Sequence, residues 1–390
     1  MLTCSSSAIG RLPDRDESNT GFEVPVSRLA VICAIGDTLL GFPSCPPWSH
    51  RSAVGKQDFD HLMRGARQLP NDGTCPSAKT NEDVMLDLSV IICAHNPQPH
   101  YLRRVLDALR SQTLPKSQWE LLLIDNSSST PLRVQWDISW HPNGRHCLES
   151  ELGLSAARQR GIRESSGTVL VFVDDDNVLD PNYLSTALSI GEEWPILGTW
   201  GSGATIPEFE REPSETVKAL LPFLALRDAD APRWGNVPVA ESTPWGAGLC
   251  VRREIAEAYC DMEGQSELKI TDRKGKSLLS CGDMEISYVA RGRGFGTGVF
   301  PELKLVHLIP KERLSTDYLL NLCQASRTSC LLLTYKWSGS VPNYPFRPRG
   351  LLSVVKNWLT RRGLDRRRYF ADVRAVIEAR RLIAASRTQR

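Results

Sequence analysis

Residues 167–182, GTVLVFVDDDNVLDPN, constrain the fold of this chain more than any other stretch. The apolar run 168–173 follows a glycine and contains mostly β-branched residues, which predicts a buried strand of a mostly parallel sheet. It ends in three consecutive carboxylates, Asp174, Asp175 and Asp176. In open α/β sheets, ligands bind beyond the carboxyl ends of the strands. We therefore expect a functional site at this point of the chain.

The three acids have two interpretations that these residues alone leave open. Carboxylates crowded at a strand end repel each other unless a cation lies among them, and hard oxygen ligands favour Mg²⁺ or Mn²⁺ with a phosphate completing the shell. Alternatively they form an Asp-rich turn before a helix that begins at Asp180-Pro181, a good cap and first-turn pair. An EF-hand loop does not fit, because Leu179 and Ser185 stand where it needs Gly and Glu.

The preceding residues predict a strand, a helix and a second strand. Residues 88–93, LSVIIC, form the first strand, and the turn Ala94-His95-Asn96-Pro97 leads to a helix with apolar spacing in residues 101–111. Residues 119–124 form the next strand, which ends at Asp125. This order indicates a βαβ unit of an α/β fold with helices flanking the sheet. Asp125 and the acids at 174–176 then end neighbouring strands and face one cleft.

Four further segments follow. Residues 153–164 have helical spacing, and residues 200–244 form a long region rich in Gly, Pro and Trp with a helix near 214–226. Asp283 stands at the head of a helix, where it is either functional or a charge favoured by the helix dipole. His307 follows a short predicted strand, 303–306, and a lone histidine is more often structural than a ligand.

The two ends of the chain differ from its middle. Residues 1–84 are rich in Ser, Pro, Gly and Asp without periodicity, so we expect a disordered extension. Residues 316–390 have amphipathic helical patterns, and residues 345–390 carry 13 Lys and Arg against 3 Asp and Glu, whereas the whole chain has a net charge of +2. This basic tail is either a solvated face or a surface that docks on anionic lipid. The distribution does not indicate a nucleic-acid-binding core.

Composition also bounds the location of the protein. The 390 residues contain no uninterrupted apolar run long enough to span a bilayer. The 11 cysteines form no CxxC pair and are odd in number, which indicates free thiols in a reducing compartment. We expect a cytoplasmic protein. The more specific interpretation of the basic helices is peripheral contact with the cytoplasmic face of the membrane.

Taken together, residues 88–315 resemble the catalytic domain of family-2 glycosyltransferases, which have a GT-A fold. The resemblance is carried, in chain order, by LSVIICAHN, LLLIDNSSS, GLSAARQRGI, VFVDDDN, GDMEIS and VHLIPKERL. VFVDDDN corresponds to the family's DXD motif, with Asp174 and Asp176 as its two acids. Two positions depart from the family pattern: Gln159 replaces Asn, and Gly282 replaces the usual Glu before Asp283.

The resemblance implies a role for each site residue. Asp283 would be the catalytic base, and Asp174, Asp176 and His307 would hold Mn²⁺ or Mg²⁺. The nucleotide sugar would contact Ala94, His95, Asn96, Asp125, Arg158, Asp174 and Asp175. Family members transfer a sugar from a nucleotide-diphosphate sugar, most often a UDP-sugar, to an acceptor hydroxyl and usually with inversion. The acceptor, whether glycan, lipid or small molecule, is not named by any residue.

These inferences give three regions: an extension over 1–84, a GT-A catalytic domain over 85–315 and a basic helical region over 316–390. A nucleotidyltransferase is less favoured, because Ala94-His95-Asn96-Pro97 lacks the Gly-rich basic loop that such enzymes place after the first strand. A non-catalytic scaffold that binds sugar nucleotides or carbohydrates stays open because of Gly282. A processive synthase is less favoured, because Gln324 and Arg327 are followed by Thr328 where its motif has Trp.

Overall fold

A ten-stranded mixed sheet lies at the centre of the described part of the chain. The computed structural model describes residues 86–387 except 238, 266–267, 271, 276 and 341–347. The strands are β1 Leu88–Ala94, β2 Trp119–Asn126, β3 Gly144–Glu149, β4 Val169–Asp174, β5 Asn177–Leu179, β6 Leu197–Phe209, β7 Arg227–Asp228, β8 Arg233–Gly235, β9 Leu249–Arg252 and β10 Gly296–Ile309.

Helices flank this sheet and extend the chain beyond it. They are α1 Pro99–Arg110, α2 Leu132–Gln135, α3 Leu154–Glu164, α4 Tyr183–Glu193, α5 Glu215–Lys218, α6 Arg253–Gln265, α7 Gly282–Gly292, α8 Thr316–Ser338, α9 Pro348–Thr360 and α10 Gly363–Arg387. The predicted α/β fold with flanking helices and a helical C-terminal extension, which the GT-A resemblance implies, is confirmed. The predictions for residues 1–84 lie outside the described residues.

The sheet has a parallel half and a mixed half. Its strand order is β3-β2-β1-β4-β9-β6-β10-β5, with β7 beside β6 and β8 beside β10. The first four strands are all parallel, as predicted for β1, β2 and β4, whereas β3 lies in a stretch that was predicted to be irregular. Beyond β4 the pairing is mostly antiparallel, and β6 with β10 is the parallel exception. Helices separate the strands up to β4, which allows parallel pairing, whereas β5 follows β4 after a turn without a crossover helix.

Alternating side chains of the parallel strands supply two separate cores. On β1, Leu88, Val90 and Ile92 pack into the core that includes α1 and α4. Ile91 points to the opposite face and packs into the core that includes α3, α6 and α7. This follows from the two-residue period of a strand. Both faces are covered, so β1, β2 and β4 are mostly apolar, and the polar Ser89 and Glu120 within them are buried and joined by a hydrogen bond of 2.7 Å.

A close approach between α3 and β1 fixes where α3 lies. A Cβ atom at Gly161 would lie 2.4 Å from Cγ2 of Ile91, so a larger residue would push the helix away from the sheet. Ala157 and Arg158, one turn earlier on the same helix, are buried. The sequence GLSAARQRGI therefore folds with Arg158 directed into the protein rather than into solvent.

The C-terminal helices pack against the α/β part through buried apolar side chains and through a buried ion cluster. Ala371, Ala375 and Ala379 of α10 are completely buried against α8. Lys336, near the end of α8, lies 2.7 Å from Oε1 of Glu285 on α7 and also pairs with Glu263 on α6. No helix among the described residues is long and apolar enough to cross a membrane.

Several element bounds differ from the sequence-based predictions. The strand predicted over 303–306 is part of the fourteen-residue β10. His307 was predicted to follow that strand but lies within β10. The predicted helix 214–226 is only α5 and a 3₁₀ turn, Leu221–Leu224. Part of the long region 200–244 belongs to β6. These strands carry Gly, Pro and charged residues, so their sequences lack the alternation that predicts a strand.

Candidate active site

The acids after β4 meet His307 because two distant strands pair. β5 begins immediately after Asp176, and the β5–β10 register places Asn177 opposite His307. The backbone N–H of Leu308 donates to the carbonyl oxygen of Asp176 at 2.9 Å, which fixes the two segments together. As a result, Nε2 of His307 lies 3.6 Å from Oδ2 of Asp176, and both side chains are about one-tenth exposed.

Arg313 is a third member of this cluster. It lies in the 3₁₀ turn Lys311–Leu314 directly after β10. Its Nη1 donates to Oδ2 of Asp176 at 2.9 Å and lies 3.5 Å from Nε2 of His307. The Asp176 carboxylate therefore contacts an arginine as well as an imidazole.

The three consecutive acids have different electrostatic environments. Burial and the charge of Asp176 raise the pKa of the Asp174 carboxyl. Burial, Asp176 and Asp174 raise the pKa of Asp175 to about 8. Burial by itself would also raise the pKa of Asp176, but His307 and Arg313 outweigh it and leave that pKa below its usual range. Asp176 is thus the acid of this group that most readily carries negative charge.

The donor atoms near Asp176 fit part of a metal site. Among the described residues, no three His, Cys, Asp or Glu side chains converge as a complete metal cage. However, His307 and Asn177, whose Nε2 and Nδ2 atoms lie 3.6 Å and 3.0 Å from the Asp176 carboxylate, have their other polar atoms, Nδ1 and Oδ1, buried without a hydrogen-bond partner. Mg²⁺ is commonly bound through one or two carboxylates and completed by substrate phosphates and water. Asp176 and His307, with Asp174 close by, therefore fit the protein's share of such a site.

The ends of β1 and β2 lie level with the end of β4. Ala94 pairs with Asp125, and Cys93 pairs with Asp174, so the predicted residues are brought to one edge of the sheet. Asp125 is buried, and its two oxygens accept the backbone N–H groups of Ser128 and Leu132 at 2.9 Å each. Asp125 therefore holds the loop after β2 in place. Each of its oxygens keeps a lone pair with which it can bind a ligand.

His95 and Asn96 join the loops after β1 and β2. Nδ1 of His95 donates to the carbonyl oxygen of Asn126 at 2.7 Å. Asn96 has a left-handed backbone with φ 48°, which asparagine tolerates better than most residues. Its side-chain oxygen accepts two hydrogen bonds from Ser129, both at 2.8 Å. Both side chains are exposed at the rim of the sheet edge, where a ligand can reach them.

Arg158 connects the acids after β4 with Asp283. It is only 4% exposed and pairs with Asp272. Burial by itself would lower the pKa of Arg158, but Asp272, Asp283 and Asp174 outweigh burial and raise it. Asp283, at the start of α7, is held by the backbone N–H of Gly246, which donates to Oδ2 at 2.6 Å, and by that of Met284, which donates to Oδ1 at 2.8 Å.

All the predicted site residues thus come to one edge of the sheet. Three further residues of the site, Arg313, Gly246 and Asp272, were not predicted from the sequence. Arg313 lies within VHLIPKERL, where a basic residue soon after His307 was an available signal. Gly246 and Asp272 lie in irregular segments without a motif, so nothing in their local sequence indicates the contact with Asp283 or Arg158.

A sheet whose parallel strands end beside carboxylates, an imidazole, the buried Arg158 and the partly buried Arg313 is typical of α/β proteins that bind a ligand beyond those strand ends. Within that class, residues 89–220 match the family described as Glycosyl transferase family 2. The resemblance predicted from the sequence is confirmed for that segment, which contains β1 to β6 and the three consecutive acids.

The curated relatives are named glycosyltransferases. The chain is 35% identical over 92 residues to glycosyltransferase AglE of Haloferax volcanii. This alignment covers 23% of this chain and 30% of that protein. It is 26% identical over 113 residues to the putative glycosyltransferase EpsH of Bacillus subtilis, covering 28% of this chain and 32% of that protein. The chain therefore spans about a third of the length of these relatives.

Among solved structures, one similar chain is the mannosyltransferase PcManGT from Pyrobaculum calidifontis, in complex with GDP-Man and Mn²⁺. The two chains are 17% identical, the alignment covers 85% of this chain and 87% of the other, and the TM-score is 0.46.

Proposed function

We propose that this protein is a glycosyltransferase that moves a sugar from a nucleoside-diphosphate sugar to an acceptor hydroxyl group. One observation carries the proposal: the charges of Asp174, at the end of β4, and of Asp283, at the start of α7, both raise the pKa of the buried Arg158, and a Cβ atom on Gly246 would lie 2.7 Å from Nη2 of Arg158 and 3.2 Å from Oδ2 of Asp283. The acids that suit a phosphorylated donor and the acid that suits proton transfer therefore act on the same cation. A glycosyl transfer needs both groups at one centre.

The donor would lie across the ends of β1, β2 and β4. The half-buried Asp174 and Asp175 and the rim residues His95 and Asn96 offer hydrogen-bonding groups to the nucleoside and its ribose. Ala94 is small and buried, so the backbone at the end of β1 can come close to the base. Asp125 would support this site chiefly through the loop that it holds in place.

The charge that develops on the departing diphosphate needs positive groups. Arg313 and Arg158 are fixed cations on this side of the site, and each is already held by a carboxylate. A bound Mn²⁺ or Mg²⁺, held by Asp176 and His307 with Asp174 nearby, would add the charge of a Lewis acid at the phosphates. Preorganised charge of this kind is usually the largest contribution to catalysis.

On the other side, Asp283 would remove the proton from the attacking hydroxyl. Two backbone N–H groups hold its carboxylate, and each of its oxygens keeps a lone pair for that proton. The hydroxyl oxygen then bonds to the anomeric carbon while the bond to the diphosphate breaks. Attack opposite to the leaving group inverts the anomeric centre, and Asp283 acts as a general base.

For the acceptor, we propose a substrate presented at a membrane surface. On α9, Leu352 is 71% exposed, Leu359 63% and Val355 56%, and these positions share one face of the helix with the exposed Lys356. Exposed Arg362 and Arg366 follow directly. An apolar face bordered by basic residues suits the interface of an anionic bilayer. We expect the protein to work at the cytoplasmic face of such a membrane.

The test of the proposed activity is a panel of UDP-, GDP- and dTDP-sugars, with UDP-sugars first. Thermal unfolding is measured with each donor, with and without Mn²⁺, and release of the nucleoside diphosphate is measured in parallel. A ligand at 100 times its dissociation constant stabilises the folded state by about 2.7 kcal/mol. Stabilisation together with diphosphate release supports a transferase. If a donor stabilises the protein but no nucleoside diphosphate is released with any membrane extract supplied as acceptor, the non-catalytic scaffold is favoured. If pyrophosphate is released from a nucleoside triphosphate, a nucleotidyltransferase is favoured.

A further inference from the structure

Asp272 and Arg158 form a buried ion pair next to Asp283. Each side chain is only 4% exposed, and Nη1 of Arg158 donates to Oδ2 of Asp272. The segment that carries Asp272 is attached to the first turn of α3: the N–H of Asp272 donates to Oγ of Ser155 at 3.2 Å. The carbonyl oxygen of Arg273 accepts the N–H of Leu154 at 3.1 Å. Asp272 is thus fixed to the same helix that carries Arg158.

The carboxylate of Asp272 occupies the space where a side chain at position 282 would extend. A Cβ atom on Gly282 would lie 2.6 Å from Oδ2 of Asp272 and 3.4 Å from Nη1 of Arg158. Gly282 is the first residue of α7, and its backbone does not have the left-handed φ that would itself require glycine. Glycine stands at position 282 because the ion pair fills that space.

The other end of the Arg158 guanidinium faces Asp283. A Cβ atom built on Gly246 would lie 2.7 Å from Nη2 of Arg158 and 3.2 Å from Oδ2 of Asp283, so the three groups meet at one point. Asp272 thus binds Arg158 through Nη1, while Nη2 and the Asp283 carboxylate both lie next to Gly246.

We propose that Asp272 is a positioning residue whose carboxylate, supplied from a separate segment, fills the space beside Gly282 and holds Arg158 next to Asp283. It acts through Arg158, which it holds between the acids after β4 and Asp283. The inference rests on the proposed function for its catalytic consequence, whereas its steric basis concerns only Asp272, Arg158 and Gly282. Breaking a buried ion pair leaves the remaining charge without its partner. Arg158 would then pair with Asp283 or Asp174 and displace a group that contacts the substrates.

The steric part is tested by thermal unfolding of G282A, D272A and the double variant, without any substrate. G282A is expected to lower the Tm, because the new Cβ displaces an oxygen that Arg158 holds in place. In the D272A background the same substitution is expected to have less effect, since the space is then free. Gly292, at the other end of α7, is the matched control: its Cβ would approach the protein no closer than 3.6 Å, so G292A is expected to leave the Tm unchanged or to raise it. Equal effects of G282A in both backgrounds would overturn the inference.

The catalytic part is tested by sugar transfer with D272N, which keeps the shape of the side chain and removes its charge. Misplacement of a catalytic group by about 1 Å reduces the rate by about 100-fold, and we expect a fall in kcat of that order with a smaller change in the donor KM. D272A/G282E is expected to recover part of the lost kcat over D272A. Asp261, an exposed acid on α6, provides the control variant D261N with wild-type rates.

The two tests distinguish a wrong proposed function from a wrong role for Asp272. If the wild-type protein transfers no sugar from any donor, the proposed function is wrong, and the thermal measurements still decide the steric inference. If the wild-type protein transfers sugar while D272N keeps the wild-type kcat, the positioning role of Asp272 is wrong. If D272N is unstable, the comparison of D272A with D272A/G282E decides, and an absence of recovery counts against the inference.

Discussion

Nε2 of His307 lies 3.6 Å from Oδ2 of Asp176, and the pairing of β5 with β10 brings these two side chains together. Arg313 approaches the same oxygen from the turn that follows β10. One short strand of three residues therefore joins the acids of the central sheet to an imidazole and a guanidinium from a segment much later in the chain.

Replacement of Asp176 tests the metal site. D176A removes the carboxylate that His307 and Arg313 contact, so the protein should lose its response to Mn²⁺ or Mg²⁺. Loss of a preorganised charged group typically reduces kcat by about 100-fold or more. The measurement is transfer rate against metal concentration, with thermal stabilisation by UDP and Mn²⁺ as a second readout. D228N, at an exposed acid on β7, is the control. Full wild-type activity in excess EDTA would rule out the metal-assisted mechanism.

Replacement of Asp283 tests the general base. D283N keeps the size of the side chain and removes the proton acceptor, so donor binding should persist while transfer falls. General-base catalysis typically contributes about 10²- to 10⁴-fold. Donor affinity is measured by titration calorimetry and transfer by diphosphate release. D261N again serves as the control, and a D283N variant that turns over at the wild-type rate would assign the base to another group.

The pH dependence of stability tests the buried ion cluster of Lys336, Glu263 and Glu285. Burial and Glu263 raise the pKa of Glu285 from the usual 4.5 to about 7, against the opposing effect of Lys336. The folded state therefore binds the Glu285 proton more tightly than the unfolded state. The resulting stabilisation is complete below pH 4.5 and is lost as the pH rises to about 7.

E285Q removes this titration, so the unfolding free energy of the wild type minus that of E285Q should fall between pH 4.5 and 7. A shift of one pKa unit corresponds to about 1.4 kcal/mol, and we expect a fall of about 1–3 kcal/mol. Urea unfolding at several pH values measures it. E254Q, at an exposed glutamate on α6, should show no such trend. A constant difference for E285Q would show that Glu285 keeps an ordinary pKa.

Vesicle binding tests the membrane face of α9. The triple variant L352S/V355S/L359S should bind anionic vesicles at least tenfold more weakly, because each buried apolar side chain contributes about 1.5–3 kcal/mol. Binding of the wild type should weaken at high salt, since the basic residues act through screened charge. Sedimentation with phosphatidylcholine vesicles, with and without phosphatidylglycerol, measures both effects. V134S alters an equally exposed apolar residue far from α9 in sequence and is the control. Equal binding to neutral and anionic vesicles would contradict the role of charge.

Three of the four strands in the parallel half could be predicted because their signals are local. β1, β2 and β4 are mostly apolar runs, and each ends where polar residues begin, so the positions of Ala94, Asp125 and Asp174 at one edge follow from the βαβ order. The helical spacing of residues 153–164 likewise predicted the helix that carries Arg158.

The mixed half could not be predicted in the same way. β6 and β10 are thirteen and fourteen residues long but contain glycines, a proline and charged residues, so only part of each has strand-like sequence. Their identity as strands depends on pairing with each other, which is a property of the folded chain.

The α/β class, the edge of the sheet where acids gather and the basic character of the C-terminal helices can be predicted from the amino-acid sequence, because each follows from periodicity or composition over a short window. The groups that contact those acids depend on the fold: His307 and Arg313 reach Asp176 through β10, and Asp272 fills the space beside Gly282. These contacts join segments far apart in the chain. Their geometry depends on strand register and helix packing, which no local pattern of residues encodes.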